Sequence, residues 1–487
     1  MNKILQYFTL FLIIFLPLLT FSQPQEANLL GTWSDEEIMG SSAYDNAYNE
    51  IWGVAAGGKE YAIIGSTQGT HFIDVTDPSQ PEEAFFVPGA DQGGSIIHRD
   101  YHDYNGYLYA VCDEGSSSLQ IIDLTQLPDT VTVVYDEPTL IRRAHNIFID
   151  TAQAVLYAFA TTSTTTGYAA LATFDLSNPV APEYIGKHNY FGGLTAGHVH
   201  DGYVRNGLAY LNCGYDGFAI VDFRDIDEPQ TLSILTTYPG AGYNHSGWAT
   251  DDCGYYYMAD ENHGIDIKVV DVHNPCEAEV VGTFDAGIDA PTSITHNQIV
   301  ACGYLYVSYY YDGLRVYDIS DPANPEQVLF YDTSSEPDAF SYKGAWGIYP
   351  LLPSGNILVS DMQEGLFVFE GMGDNCAAIQ EVEDCNIDCN LSTATDEALT
   401  TAELTVYPTP TTGHLNVNIT LTESQNRVKW TLVDIAGRTV QRFMQSDLMA
   451  GEHTFTFALD ANLENGFYLL QTSNESFQRS EKIILAR

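Results

Sequence analysis

A strand that ends on an acidic residue and runs into a proline-bearing turn recurs along most of this chain. No other feature restricts its fold as much. The units are Thr70-His71-Phe72-Ile73-Asp74 with Pro78, Leu119-Gln120-Ile121-Ile122-Asp123 with Pro128, and Ala172-Thr173-Phe174-Asp175 with Pro179. Phe218-Ala219-Ile220-Val221-Asp222 with Pro229, Ile267-Lys268-Val269-Val270-Asp271 with Pro275 and Leu314-Arg315-Val316-Tyr317-Asp318 with Pro322 continue the series. A degenerate copy, Leu366-Phe367-Val368-Phe369-Glu370, ends it. The closing positions are 49, 52, 47, 49, 47 and 52 residues apart. A period of about 50 residues, with several short strand-like runs per copy, belongs to units that bury their faces only against neighbours. The chain is therefore predicted to be all-β, and its seven copies predict a seven-bladed β-propeller over residues 23–372. Each closing Asp is expected to accept hydrogen bonds from the backbone of its own turn.

A second register precedes the first. Trp52, His102, His145, His200, His245, His296 and Trp346 open runs such as Asn206-Gly207-Leu208-Ala209-Tyr210-Leu211. These read as the first two strands of a blade with a tight Gly turn between them. The first strand of a blade lines the central channel, so the rings are expected at one channel mouth. The last copy lacks an outer strand. Asn28-Leu29-Leu30-Gly31-Thr32-Trp33-Ser34 resembles the outer strands and is expected to close the ring, removing the open edge.

Residues 1–22 read as a secretory signal peptide: Lys3, an apolar run from Ile4 to Leu19, then Thr20 and Ser22 before the cleavage. No other apolar span is long enough to cross a membrane as a helix. Of the 65 acidic and 18 basic residues, residues 403–487 hold 9 and 7, so the first 402 carry −45 of the net −47. Such a surface repels nucleic acid and anionic membranes and attracts cations. Eight cysteines in an exported chain point to disulfides. Cys276 is expected to bridge Cys253 or Cys302. Cys376, Cys385 and Cys389 are expected to form one local bridge in an acidic linker, residues 373–402. Cys112 and Cys213 read as buried thiols.

Residues 403–487 carry a different pattern of short alternating strands with Gly turns, which predicts a small β-sandwich. Tyr407-Pro408-Thr409-Pro410, Val433-Asp434-Ile435-Ala436-Gly437-Arg438, Asn465-Gly466-Phe467-Tyr468 and Lys482-Ile483-Ile484 closely resemble the type A C-terminal sorting domain of type IX secretion cargo in Bacteroidetes. That resemblance implies handling by the type IX secretion and sorting machinery, passage across the outer membrane, and a surface-attached or released product. The strand–Asp–turn–Pro units and ring-led first strands resemble LVIVD-repeat proteins and the choice-of-anchor B group. That second resemblance implies a propeller joined to an anchor and brings no activity with it.

The ring residues are the candidate ligand site: His102, His145, His200, His245 and His296 with Trp52, Trp346, Asp103, Asp201, Arg99 and Arg142. His145, His198, His200 and His245 are the candidate ligands for a divalent transition metal, because neutral imidazoles beside carboxylates suit such an ion. The same imidazoles also suit acid–base chemistry near neutral pH. A His repeated once per blade equally suits backbone hydrogen bonding between blades. Nucleophile-elbow, zincin, Walker and dinucleotide motifs are absent. Two functions remain: an exported propeller that binds a small molecule, glycan or protein, and a secreted metal-dependent hydrolase or lyase.

Overall fold

The computed structural model describes residues 23–288, 290–373, 385, 402–421, 424–433, 439–460, 463, 465–473 and 478–487. The signal segment, Cys376, Cys389 and the tail motif Asp434–Arg438 lie outside them. Every regular element among the described residues is a β-strand. The chain divides into two compact units, Met1–Leu391 and Ser392–Arg487.

In the first unit the repeat becomes a series of antiparallel sheets. Sheet one is Tyr48–Ala56, Lys59–Ser66, Gly69–Asp74 and Glu82–Pro88, each strand paired with the next. Five sheets of the same order follow, opening with Arg99–Tyr104, Asn146–Asp150, Asp201–Arg205, Asn244–Ala249 and Thr295–Ala301. The last sheet, Ala345–Tyr349, Ile357–Asp361 and Gly365–Phe369, takes its fourth strand from Leu29–Trp33. Gln25–Glu26 adds a parallel edge to the sheet before it.

Local chemistry explains the repeat. Asp74, Asp123, Asp175, Asp222, Asp271 and Asp318 each accept a hydrogen bond from the backbone N–H two residues on, at 2.7–3.0 Å. The carboxylate thus ends the strand and starts the turn. The first hairpins of sheets two and four turn at Asn105-Gly106 and Asn206-Gly207, all four residues at positive φ, as a two-residue hairpin turn requires.

Each sheet buries its faces against two neighbours. Val155, Tyr157, Phe159 and Leu171 of sheet three pack with Val204, Leu211 and Val221 of sheet four. Leu358, Leu366 and Val368 of sheet seven pack with Ile51, Ile64 and Ile73 of sheet one. A buried side chain of this kind contributes about 1.5–3 kcal/mol, so no sheet would be stable alone.

The cysteine expectations need correction. Cys253 pairs with Cys385, 132 residues away, so Cys385 takes no local partner and Cys253 does not pair with Cys276. Cys276 and Cys302 are also disulfide-bonded. Cys112 and Cys213 are buried thiols.

The second unit has a sheet of Ala402–Tyr407, His414–Leu421 and Gly451–Ala458 and a sheet of Thr439–Leu448, Gln425–Val433, Gly466–Ser473 and Gln478–Leu485. Leu415, Val417 and Ile419 of the first meet Trp430, Leu432, Leu470 and Ile483 of the second in one core.

Candidate functional site

The first strands of the sheets and the residues just before them line two cavities. The larger, about 340 Å³, is lined by His98, His145, His200, His245, His296 and Trp346, with Glu114, Glu261, Tyr44, Tyr243, Tyr310 and Tyr342 among the surrounding residues. The six rings form a closed collar. Centroid separations run 4.3 Å for His98–His145, 4.0 Å for His145–His200 and His200–His245, and 4.6 Å for His245–His296. The circuit closes through Trp346, 4.5 Å from His296 and 5.4 Å from His98.

Backbone irregularity aims these rings. In a regular strand successive side chains point to opposite faces. The pairing of Asn244–Ala249 skips between Asn244 and Ser246, that of Thr295–Ala301 between Thr295 and Gln298, and that of Ala345–Tyr349 between Ala345 and Ile348. The bulges fall on His245, His296 and Trp346, and a bulge re-aims the side chains it carries. His200 Nδ1 donates to the His245 carbonyl at 3.2 Å, and His296 Nδ1 donates to the Trp346 carbonyl at 2.6 Å. A carbonyl only accepts, so both neutral rings keep their lone pair on Nε2.

The electrostatics separate one imidazole from the rest. Burial, then the neighbouring imidazoles, hold His98, His200 and His245 well below the usual histidine range. Burial lowers His296 to about 3 despite its bond to the Trp346 carbonyl. His145 is raised instead: burial opposes its charge, but a 2.7 Å hydrogen bond from Nδ1 to Asp113 and the Asp113 charge outweigh that, with Glu261 and Glu114 adding. Burial raises Glu261 to about 7, and its Oε1 accepts a 2.6 Å bond from the Tyr310 hydroxyl.

The second cavity, about 60 Å³, is lined by all seven first strands and carries Glu50, Asp100, Asp201, Asn146, Asn297 and Gln298. Trp52, His102, Phe148 and Trp248 also line it. Burial first, then repulsion from Glu50, raises Asp100 well above the carboxylate range. Burial raises Glu50 to about 8 and Asp201 to about 7.

These positions correct the expected ring. His145, His200, His245, His296 and Trp346 come together. Trp52 and His102 do not join them: they pack against each other with centroids 4.6 Å apart and planes tilted by 36°, in the smaller chamber. Asp103 holds the Trp52 indole N–H at 2.8 Å, and Asp201 belongs to the chamber. Arg99 is buried, with Nε and Nη2 on the carbonyls of Ser66 and Asp91 at 2.8 and 2.7 Å, so its guanidinium is committed to backbone. Arg142 reaches the Ser116 hydroxyl at 3.3 Å and is not among the cavity residues. His198 lies beside the collar, its ring 5.5 Å from His200 and 5.9 Å from His145. The vacant place is filled by His98, whose Nδ1 is buried and accepts or donates no hydrogen bond among the described residues.

Sequence reasoning missed Asp113, Glu114 and Glu261. Asp113 and Glu261 follow directly on the second strand of a sheet, Tyr107–Cys112 or Tyr255–Asp260, and Glu114 comes one residue later. The second strand runs antiparallel to the first, so its end returns to the level where the first begins. An acidic residue just after a second strand was the available signal.

Residues 405–486 match the family model for the secretion system C-terminal sorting domain. The tail is a type IX sorting domain. It marks the chain for handling by the type IX machinery and for delivery to the cell surface or the extracellular space. The sheets ahead of the sorting domain carry LVIVD repeats, matched at residues 253–286 and 297–333. No curated protein matches the chain. Among solved structures, a putative 6-phosphogluconolactonase from Bacteroides fragilis aligns at 10% identity and TM-score 0.42, over 84% of this chain and 97% of that one. A putative 6-phosphogluconolactonase from Bacteroides uniformis aligns at 11% and 0.44, over 89% of this chain and 100% of that one. A protein of unknown function from Bacteroides thetaiotaomicron aligns at 12% and 0.38, over 70% of this chain and 92% of that one. No helix among the described residues is long and apolar enough to cross a membrane.

Proposed function

We propose that the chain is an exported binding protein: a seven-bladed β-propeller over residues 23–372, closed by its N-terminal strand, that takes a small molecule or glycan in the collar cavity. Residues 1–22 are its signal peptide, 373–402 its linker and 403–487 its sorting domain. The propeller reading is supported by the packing of each sheet on the next and of sheet seven on sheet one. Pairing of Leu29–Trp33 with Gly365–Phe369 supports the closure.

The observation that carries the binding role is the collar itself. Six rings face a cavity of about 340 Å³ whose rim carries tyrosines, including Tyr215, which is 77% exposed. Concave sites of a few hundred Å³ with aromatic walls and a few convergent polar groups are the usual form of small-ligand pockets. The test is native mass spectrometry of the mature chain against a glycan and small-carboxylate panel. Hits should lose at least about tenfold in affinity when Tyr215 and Tyr342 are both changed to Ala, as expected when stacking surface is removed. Hits bound equally well by the double variant would sink the reading.

One observation favours the second reading, a secreted hydrolase or lyase. Asp113 orients the His145 imidazole as a base is oriented beside a reacting group. Turnover of a panel compound that stops in Asp113→Asn while binding persists would favour it.

A further inference from the structure

Two sets of three side chains in the collar bring ligand atoms within 4.8 Å of one another: His98, Asp113 and His145, and His200, His245 and Glu261. They are not equivalent. In the first, the Asp113 carboxylate is spent on the His145 N–H at 2.7 Å, a hydrogen-bonded pair with no room between its members. In the second, His245 Nε2 stands 3.9 Å from Glu261 Oε1. That is too long for a hydrogen bond, and it is a few tenths of an ångström wider than the roughly 3.3–3.6 Å that two ligands about 2.0–2.2 Å from one tetrahedral ion span, so a small side-chain movement brings the pair onto one ion.

Taking the collar cavity as the ligand site, we propose that His200, His245 and Glu261 bind a divalent transition metal, leaving positions open toward the cavity for an exogenous ligand. The donor set is two imidazoles and one carboxylate, which suits zinc or ferrous iron and is poor for magnesium or calcium. The His200 lone pair is on Nε2, because Nδ1–H is held by the His245 carbonyl. The Tyr310 hydroxyl donates to Glu261 Oε1 at 2.6 Å and fixes the carboxylate; this is the same oxygen that stands 3.9 Å from His245 Nε2, and its second lone pair is left for an ion. His245 Nδ1 makes no close hydrogen bond among the described residues; the His296 backbone, which favours the protonated ring, is the acceptor that would hold an Nδ1 proton and leave the Nε2 lone pair to the ion. All three residues line the 340 Å³ cavity, which gives the ion an entry path and a place for a further ligand.

The probe is cobalt(II), whose visible bands report coordination geometry. The mature chain is stripped with chelator and titrated with cobalt, with zinc as competitor. The expected result is one cobalt per chain with bands of a four- or five-coordinate site, displaced by zinc. His200→Ala, His245→Ala and Glu261→Gln should each weaken cobalt binding by about 100-fold or more, since even outer-shell changes cost 10–100-fold. His198→Ala, beside the collar but outside the set, should leave titration and spectrum unchanged. Thermal melting of the stripped variants identifies any that fail to fold, and Tyr310→Phe supplies a milder change that should shift affinity by roughly tenfold. A wild type without stoichiometric cobalt overturns the metal site. So does equal loss in His198→Ala and Glu261→Gln. The cavity reading is checked separately on the stripped wild type with the glycan and carboxylate panel: binding that persists there at full affinity keeps the cavity and overturns the ion's role in holding the ligand, and the cobalt titration alone decides whether the ion binds.

Discussion

Six of the seven first strands that build the carboxyl chamber also carry the collar rings, at or just before their start and one or two residues from the chamber residues, yet the two cavities differ in almost every physical respect. The collar carries imidazoles at its wall and an exposed tyrosine at its rim. The chamber carries three carboxyl groups on a floor of packed aromatics. Phe148 lies 5.8 Å from Trp248 and 5.0 Å from His102, and Trp52 lies 4.9 Å from Tyr349. The collar has volume to admit a molecule; the chamber is about a sixth of its size. The difference teaches that one ladder of strands can hold a site at one level and brace it at the next. Changes in the chamber should therefore be read in stability, and changes in the collar in binding.

The largest break in that comparison is expected from the floor. Trp248 packs against Phe148 and Tyr203 and against three core clusters. Trp248→Ala should cost about 3 kcal/mol in chemical denaturation, the low end for a large aromatic because the ring is only partly buried. If the loss is under about 1 kcal/mol, the floor does not brace the sheets.

Gly347→Ala should come next, at about 1–3 kcal/mol, the usual range for overpacking. A Cβ there would meet Glu50 Oε1 at 2.0 Å and Ile51 Cγ2 at 2.9 Å. Glu50 is not free to move away: it accepts from the Ile51 N–H at 3.0 Å and the Asn297 amide at 2.7 Å. Unchanged melting with a glycine-like structure would show that Glu50 has somewhere to go.

The chamber should also make stability depend on pH. Burial raises the Glu50 carboxyl from 4.5 to about 8, so between those values the folded protein holds a proton that the unfolded chain releases. Stability then falls as pH rises through that window, by at most about 1.4 kcal/mol per pH unit for one group. The collar imidazoles, held below the usual histidine range, act in the opposite sense up to about pH 6.5, so the decline should show between pH 7 and pH 8. Denaturation midpoints should fall across that interval and Glu50→Gln should flatten the fall; an unchanged slope in Glu50→Gln would mean that Glu50 does not hold the proton.

Much of this was legible in the sequence, for reasons that differ by level. The sheets were legible because each closing Asp makes a local bond to a turn two residues on, and local chemistry repeats with the chain. The collar was half legible. His145, His200, His245, His296 and Trp346 share a place in their sheets, but His102 was read into a place that belongs to His98. The distance to the hairpin turn separates them: His200 lies six residues before Asn206, His98 seven before Asn105, and His102 only three. The bulges that turn His245 and His296 inward leave no compositional mark, since they depend on pairing between strands. Glu261 left only its place just after a second strand as a signal; its approach to His245 depends on the hairpin pairing of Asn244 with Asp260 and on the bulge at His245. Cys253 and Cys385 are the extreme case, with 132 residues between them.

The smallest expected effect is at Arg142, and it tests the comparison from the collar side. The sequence placed this residue in the candidate ligand site. In the structure its guanidinium holds one hydroxyl, that of Ser116, at 3.3 Å, and it lines neither of the two cavities. A solvent-accessible contact of that kind is worth within about 0.5 kcal/mol. Arg142→Ala should therefore leave denaturation unchanged and leave panel binding unchanged as well, whereas Tyr215→Ala should leave denaturation unchanged but weaken binding. Weakened binding of anionic panel members alone in Arg142→Ala would mean that the ligand extends past the tyrosine rim, and would move the boundary of the site outward to the loop that carries Ser116.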